Sequence, residues 1–376
     1  MKFTSALTAL IAATSVIAAP AIPRRGIEIG DTQITFVDQI ASPVGANFNV
    51  NFKGYVTKTV SQSTVETVFR LLAFLFPGEQ DSEILDERIK LFTRVGLPLT
   101  QVDVSLPLGS GATSTVNVGR TDQTGKFSVA KVLDLTAADE TDGLIEFTAN
   151  GFSPAQTIGG RTFVLKANGV SVFSDIDDTI KFSEVNSKTK LLEHTFLRPF
   201  TAVPGMASLY QKINSELSAK NLNPTFHYLS RSPWNLFAPL AQLLKDNLFP
   251  QGQFILRDLS AFDLSLIKFI TEGADYKTDR IKEFFALFPT RKLILIGDST
   301  EQDPESYAAA YKLSPNSITC IAIRIVTGVD AKKEAGQIAP SRFENTFAGI
   351  PRSKWITFTD PSQIDAAFLA NGNCRK

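Results

Sequence analysis

An acidic loop set directly behind a run of residues that suits the middle of a sheet limits what this chain can fold into. Val170 to Ser174 is a near-continuous β-branched and aromatic run, which fits a strand of a parallel sheet covered on both faces. It ends in Asp175-Ile-Asp-Asp-Thr179. Asp175 and Asp177 are spaced i, i+2, so as the strand breaks into a loop both can turn toward one point beyond its carboxyl end. In open α/β sheets that edge is where ligands bind. One carboxylate of such a loop can attack a phosphorus, its neighbour can carry a proton, and the region can hold Mg²⁺. The competing explanation of these five residues is an acidic strand-to-helix turn in which Asp or Thr is only a cap.

Two further apolar runs end in the same manner. Phe226-His-Tyr-Leu-Ser230 leads into Arg-Ser-Pro-Trp-Asn235, and Lys292-Leu-Ile-Leu-Ile-Gly-Asp298 leads into a loop that carries Asp303. Between them Lys277 stands at the head of a predicted helix. In sequence order these are an Asp-x-Asp-x-Thr loop, a strand-end Ser, a Lys, and a Gly-Asp with a second Asp after four intervening residues. That order resembles the four motifs of the haloacid dehalogenase superfamily of phosphohydrolases. More narrowly, Ser174 to Lys181, Val203-Pro-Gly-Met206, His227 to Trp234, Leu256-Arg-Asp258, Tyr276-Lys277 and Gly297 to Tyr307 resemble the catalytic domain of the Mg²⁺-dependent phosphatidate phosphatases of the fungal actin patch protein family. The resemblance runs from about Val170 to Ile325.

That resemblance implies a role for each residue. Asp175 is the expected nucleophile and forms an aspartyl-phosphate. Asp177 protonates the leaving alkoxide and then deprotonates the water that cleaves the intermediate. Mg²⁺ is held by Asp175, the backbone carbonyl of Asp177 and Asp298, with Asp303 an orienting residue or a further ligand. Ser230 and Thr179 bond the phosphoryl oxygens, and Lys277 stabilises their charge. Asp178 points away from this pair by spacing and is expected in a turn.

The rest of the chain sets the context. With 376 residues and 43% hydrophobic content it is long enough for two domains. Its 38 basic and 38 acidic residues leave no electrostatic signature of a nucleic-acid binder. Residues 1–25 read as a signal peptide, with Lys2, an apolar run from Ala6 to Ala19 and the pair Arg24-Arg25, which is either a processing site or a basic flank. A secreted or secretory-pathway protein is therefore expected. Cys320 opens an apolar run and belongs to the core; a bridge from it to Cys374 is an open alternative. The two histidines, His194 and His227, offer no metal cluster, and His227 reads as a hydrogen-bonded core residue.

Residues 26–169 alternate apolar with polar in short segments, as in Gln33–Val37, Asn47–Val56, Gln101–Leu106, Ser114–Val118, Gly125–Val129, Ile145–Phe147 and Thr162–Leu165, which predicts an immunoglobulin-like β-sandwich. A helix over 65–76 interrupts it, either packed between domains or dipping into lipid, so peripheral membrane contact stays open. Residues 170–376 alternate strands with helices such as Met206–Leu217, Pro233–Lys245 and Thr278–Phe288, predicting a Rossmann-like α/β domain with little room for a cap. The leading functional expectation is a secreted phosphatase for phosphatidate or a related lipid phosphomonoester. A phosphatase for another extracellular phosphomonoester uses the same residues; a non-catalytic lipid-binding protein has no need of both Asp175 and Asp177.

Overall fold

The computed structural model describes residues 32–59, 83–109, 112–136, 143–258 and 275–375. The expected signal peptide and the helix over 65–76 lie outside them. These residues form a mixed α/β protein with three sheets among them.

In the N-terminal half, β1 (Thr32–Phe36), β2 (Gln39–Val44) and β3 (Asn47–Thr59) are followed by helix α1 (Glu83–Phe92), β4 (Arg94–Gly96), β5 (Gln101–Leu108), β6 (Ala112–Arg120), β7 (Lys126–Leu133), β8 (Leu144–Glu146), β9 (Thr148–Ala149), β10 (Thr157–Ile158) and β11 (Arg161–Val164). An eight-stranded sheet runs β10-β1-β3-β2-β11-β8, with β4 and β7 also paired to β3; a three-stranded sheet runs β6-β5-β9. Ile34, Phe36, Val50 and Phe52 of the first sheet share one buried cluster with Val102, Val104, Leu106 and Val118 of the second. All seven expected strands form. The ones not anticipated are β2, whose Ser42-Pro43 breaks the alternation, and β4, β9 and β10, which at two or three residues are too short to carry a period.

The C-terminal half is built on six strands, β12 (Val170–Asp175), β13 (Thr225–Pro233), β14 (Gly252–Arg257), β15 (Lys292–Asp298), β16 (Ile318–Arg324) and β17 (Trp355–Phe358). All neighbouring pairs are parallel, in the order β14-β13-β12-β15-β16-β17. Parallel strands need crossovers, and these carry α2 (Lys188–Phe196), α3 (Met206–Ala219), α4 (Phe237–Asp246), α5 (Asp275–Leu287), α6 (Asp303–Leu313), α7 (Ala331–Gln337) and α8 (Pro340–Thr346), with α9 (Ala366–Ala370) after the last strand. Both faces of the sheet are covered. On β15, Ile294 and Ile296 join the cluster that contains Met206, Leu209 and Ile213 of α3, while Leu293 and Leu295 join Ile281, Phe284 and Tyr307 of α5 and α6. Burial on both faces is why these strands read as unbroken apolar runs.

Two expectations change in detail. The helix expected over Pro233–Lys245 begins later: β13 runs on to Pro233, Trp234–Leu236 is a 3₁₀ turn, and α4 starts at Phe237. Cys320 is in the core, fully buried, and it is also disulfide-bonded to Cys374, which fastens the C-terminal tail to β16 across 54 residues.

The two halves meet at the edge strand β14. Asp258, just beyond it, accepts a hydrogen bond from the Tyr55 hydroxyl (2.5 Å) and ion pairs from Lys53 (2.8 Å) and Lys126 (2.9 Å). Tyr55 and Lys126 are direct cross-strand partners on β3 and β7, which is why both reach one carboxylate. The Tyr55 ring also stacks on Trp234, with centroids 4.0 Å apart and planes 7° from parallel. Burial opposes ionisation of Asp258, but Lys53 and the other donors hold its carboxyl at about 2. The group therefore contributes stability above the unfolded value of 3.8, and the contribution is lost as pH falls toward 2. Asp258→Asn is expected to cost about 1 kcal/mol at neutral pH, small because the carboxylate is 39% exposed. Urea titrations of both proteins should converge as the pH is taken down through that window; a constant difference across it would contradict the ionic origin.

Candidate active site

The sheet order reverses between β12 and β15, so their carboxyl ends lie side by side and leave a crevice above them. Asp175 ends β12 and Asp298 ends β15. Asp303, the first residue of α6, folds back so that one of its carboxylate oxygens accepts the backbone N–H of Asp298 at 3.2 Å. Gly297 is required for that return, since a Cβ there would lie 2.3 Å from Asp303 Oδ2. One ligand oxygen from each of Asp175, Asp298 and Asp303 falls within 4.8 Å of the others, and all three side chains are buried.

A single ammonium group stands among them. Lys277, in the first turn of α5, donates to Asp175 Oδ1 at 2.6 Å, pairs with Asp303, and lies 3.6 Å from Glu301 Oε2. Burial disfavours its charge, but Asp175 and Asp303 outweigh that and hold its pKa well above the ordinary value. The carboxylates move the other way. Burial pushes Asp175, Asp298 and Asp303 up; Lys277 opposes this for each, and the neighbouring carboxylates reinforce it. Thr179 Oγ1 donates to Asp175 Oδ2 at 3.1 Å and reaches Asp298 Oδ2 at 3.4 Å, while Asp298 Oδ1 accepts from the Thr300 N–H at 2.6 Å. Three buried carboxylates against one ammonium leave a net negative site whose donors are all hard oxygens. That is the environment Mg²⁺ or a similar cation needs, so the residues fit a metal.

Asp177 is handled differently. Its carboxylate turns to the neighbouring wall, where it meets Lys181 Nζ (2.9 Å), Ser183 Oγ (2.7 Å), Ser230 Oγ (2.7 Å) and Ser232 Oγ (3.0 Å). Burial alone would raise its pKa, but Lys181 and the donating hydroxyls hold it well below the usual carboxylate range. The loop that supplies these groups is shaped by Asp178. In the left-handed region (φ 57°), its carboxylate accepts the backbone N–H groups of Ser183 (2.9 Å), Glu184 (2.8 Å) and Val185 (2.8 Å). Asp178 is thus a turn former, as its spacing suggests. His227 is buried, lies between Gln253 and Thr225, and is pushed down to about 3 by burial, so it is a neutral core residue.

All seven residues singled out from sequence therefore gather around one crevice, in two linked groups. Asp175, Thr179, Lys277, Asp298 and Asp303 make the cation-seeking cluster, and Ser230 joins Asp177. Ser230 gives its hydroxyl to Asp177 in this state, where a contact to phosphoryl oxygen was expected. Sequence reading assigned no role to Lys181, Ser183, Ser232 or Glu301. Ser232 carried a usable signal, being two residues from Ser230 at a strand end and so on the same face. Lys181 and Ser183 reach Asp177 only because the Asp178 turn folds them back.

A family model described as the catalytic domain of the phosphatidate phosphatase APP1 matches residues 170–325, from the start of β12 to just past β16. Residues 170–325 are thus similar to an APP1-type catalytic domain. The phosphatidate phosphatase APP1 of Saccharomyces cerevisiae is 30% identical over 284 residues, covering 70% of this chain and 45% of that protein. An uncharacterized protein of Schizosaccharomyces pombe is 33% identical over 166 residues, covering 43% of this chain and 26% of its own length. The chain thus spans less than half the length of these relatives. Among solved structures, one from work on a carbohydrate esterase active site covers 86% of this chain and 98% of its own at 11% identity, but with a TM-score of 0.21 it carries no argument. The matched residues 170–325 include every site residue named above.

The charge imbalance has a measurable consequence. Asp175, Asp298 and Asp303 have folded pKa values raised above 3.8, so the folded protein binds the extra protons. Without metal, stability is lost as pH rises from 3.8 to those raised values. Asp298→Asn removes one of the repelling charges and is expected to stabilise metal-free protein at neutral pH by about 1–3 kcal/mol, the usual size of such a change. Melting in chelator from pH 5 to 8 tests this; a variant less stable than wild type throughout would contradict it.

Proposed function

We propose that this protein is a Mg²⁺-dependent phosphoric monoester hydrolase that acts on phosphatidate or a related lipid phosphate through an aspartyl-phosphate on Asp175. The observation that carries this reading is Lys277 held between Asp175 and Asp303 beside Asp298, because it sets a positive charge against the proposed nucleophile in a site that still calls for a cation. The match of residues 170–325 to the APP1 catalytic domain supports the reaction class.

In this mechanism an Asp175 oxygen forms a bond to phosphorus while the P–O bond to the alkoxide breaks. The alkoxide takes a proton from Asp177. In the substrate-free state Asp177 is ionised; a phosphate dianion beside it raises its proton affinity, which is the direction a general acid needs. Asp177 then accepts a proton from water as that water attacks phosphorus, releasing orthophosphate and restoring the Asp175 carboxylate. Ser230, Thr179 and Lys277 bond or balance the phosphoryl oxygens. Asp175 and Asp298, with Asp303 and the Asp177 carbonyl, are the residues that would hold Mg²⁺. When bound, it supplies the positive charge that offsets repulsion between nucleophile and phosphate.

The architecture is read as a haloacid dehalogenase-type Rossmann domain with a minimal cap over 170–376, and an immunoglobulin-like sandwich over 26–169. Secretion after removal of residues 1–25 is part of the proposal, and the Cys320–Cys374 disulfide favours an oxidising compartment.

Phosphate release from dispersed phosphatidate should require Mg²⁺, exceed release from a soluble aryl phosphate, and fall by roughly 10³-fold or more in Asp175→Asn. Equal rates on both esters would sink the lipid assignment. Absence of turnover on either would favour the binding reading.

A further inference from the structure

Helix α1 belongs to the N-terminal half but packs on the catalytic half. Phe92 meets Phe196 of α2 (5.2 Å between centroids), and the Leu91 carbonyl accepts from Asn235 Nδ2 at 2.8 Å, five residues beyond Ser230. Its buried face carries Leu85, Arg88 and Ile89. Arg88 stands where the helical period calls for an apolar residue. It is only 8% exposed, and its buried Nε has no hydrogen-bond partner among the described residues. Such a group is costly to keep unless something compensates it. The guanidinium lies 4.1 Å from the centre of the Phe200 ring, and Lys181 Nζ lies 4.8 Å from the same centre. The two cations are thus no farther apart than the sum of those distances. Lys181 in turn touches Asp177, so the ring connects Arg88 to the reaction centre.

We propose that Arg88 is a substrate-binding residue which the N-terminal half lends to the catalytic site, where it and Lys181 take the anionic oxygens of a phosphate monoester beside the Phe200 ring. This rests on the phosphatase reading and deepens it. The N-terminal half then contributes to recognition as well as to packing. Arginine suits this task because its fork keeps its charge when buried and presents paired donors to an oxyanion.

The test uses the full chain with Mg²⁺ and inorganic phosphate as the probe, with binding followed by calorimetry in wild type, Arg88→Met and Arg88→Lys. Initial rates on phosphatidate vesicles and on a soluble aryl phosphate are taken beside it. Arg88→Met is expected to weaken phosphate binding about 10-fold or more, the size of a lost charged hydrogen bond. It should raise KM on both esters more than it lowers kcat and leave the melting temperature unchanged or higher, with Arg88→Lys recovering part of the affinity. If wild type turns over substrate and Arg88→Met binds phosphate as wild type does, Arg88 only packs on Phe200 and the inference is overturned alone. A loss confined to vesicle substrates would place Arg88 at a lipid surface and would equally overturn it. Should Arg88→Met fail to fold, Arg88→Lys and Arg88→Gln carry the same comparison. Wild type that neither binds phosphate nor turns over either ester overturns the phosphatase reading itself.

Discussion

A buried lysine between carboxylates is the constraint around which the catalytic half is arranged. Lys277 reaches Asp175 from a helix that follows β14, and Asp303 reaches Lys277 from a helix that follows β15, so the pair closes only if β12 and β15 are neighbours and both crossovers return to the same edge. One ammonium cannot balance three buried carboxylates, and burial raises the pKa of each. The polypeptide thus builds a site that is electrostatically incomplete by itself. Strain of this kind is retained where a ligand relieves it, and a divalent cation with oxygen preference is the simplest such ligand.

Asp177 shows the complementary arrangement. It is buried, as Asp175 two residues before it is, yet its proton affinity falls where that of Asp175 rises, because Lys181 and three serine hydroxyls converge on it. Two carboxylates two residues apart are driven in opposite directions by their surroundings, and the proposed roles need the reverse order, which a cation beside Asp175 and a phosphate beside Asp177 would supply. The Asp178 turn makes this separation by folding Lys181 and Ser183 back onto Asp177, while the end of β13 delivers Ser230 and Ser232 from the other side. Tyr55 stacks on Trp234 just beyond those serines, so the N-terminal half buttresses the wall that holds Asp177.

What could be read in the sequence follows from range. The strands β12, β13 and β15 announce themselves because burial on both faces leaves apolar runs, and their terminal Asp and Ser residues mark the edge where chemistry is placed. Seven site residues were legible for that reason. Lys181 and Ser183 were not, since their contact with Asp177 depends on the left-handed conformation of Asp178, and no local periodicity encodes it. Arg88 was invisible for a different reason: about ninety residues separate it from Asp177, and nothing in its own segment says which half of the molecule α1 covers. The disulfide was legible only as an option, because spacing does not tell whether a tail returns to the strand that carries Cys320. The start of α4 moved because Pro233 still pairs with Arg257 at the end of β13.

The central claim is that the Asp175 carboxylate itself bonds to phosphorus. Rapid acid quench during turnover of phosphatidate with a radiolabelled phosphate, followed by proteolysis, tests it directly. A labelled peptide containing Asp175, sensitive to hydroxylamine and absent from Asp175→Asn, is the expected result. Full turnover with no label on the protein at any quench time, and with stereochemical inversion at phosphorus, would mean that water attacks directly and that Asp175 only binds the cation.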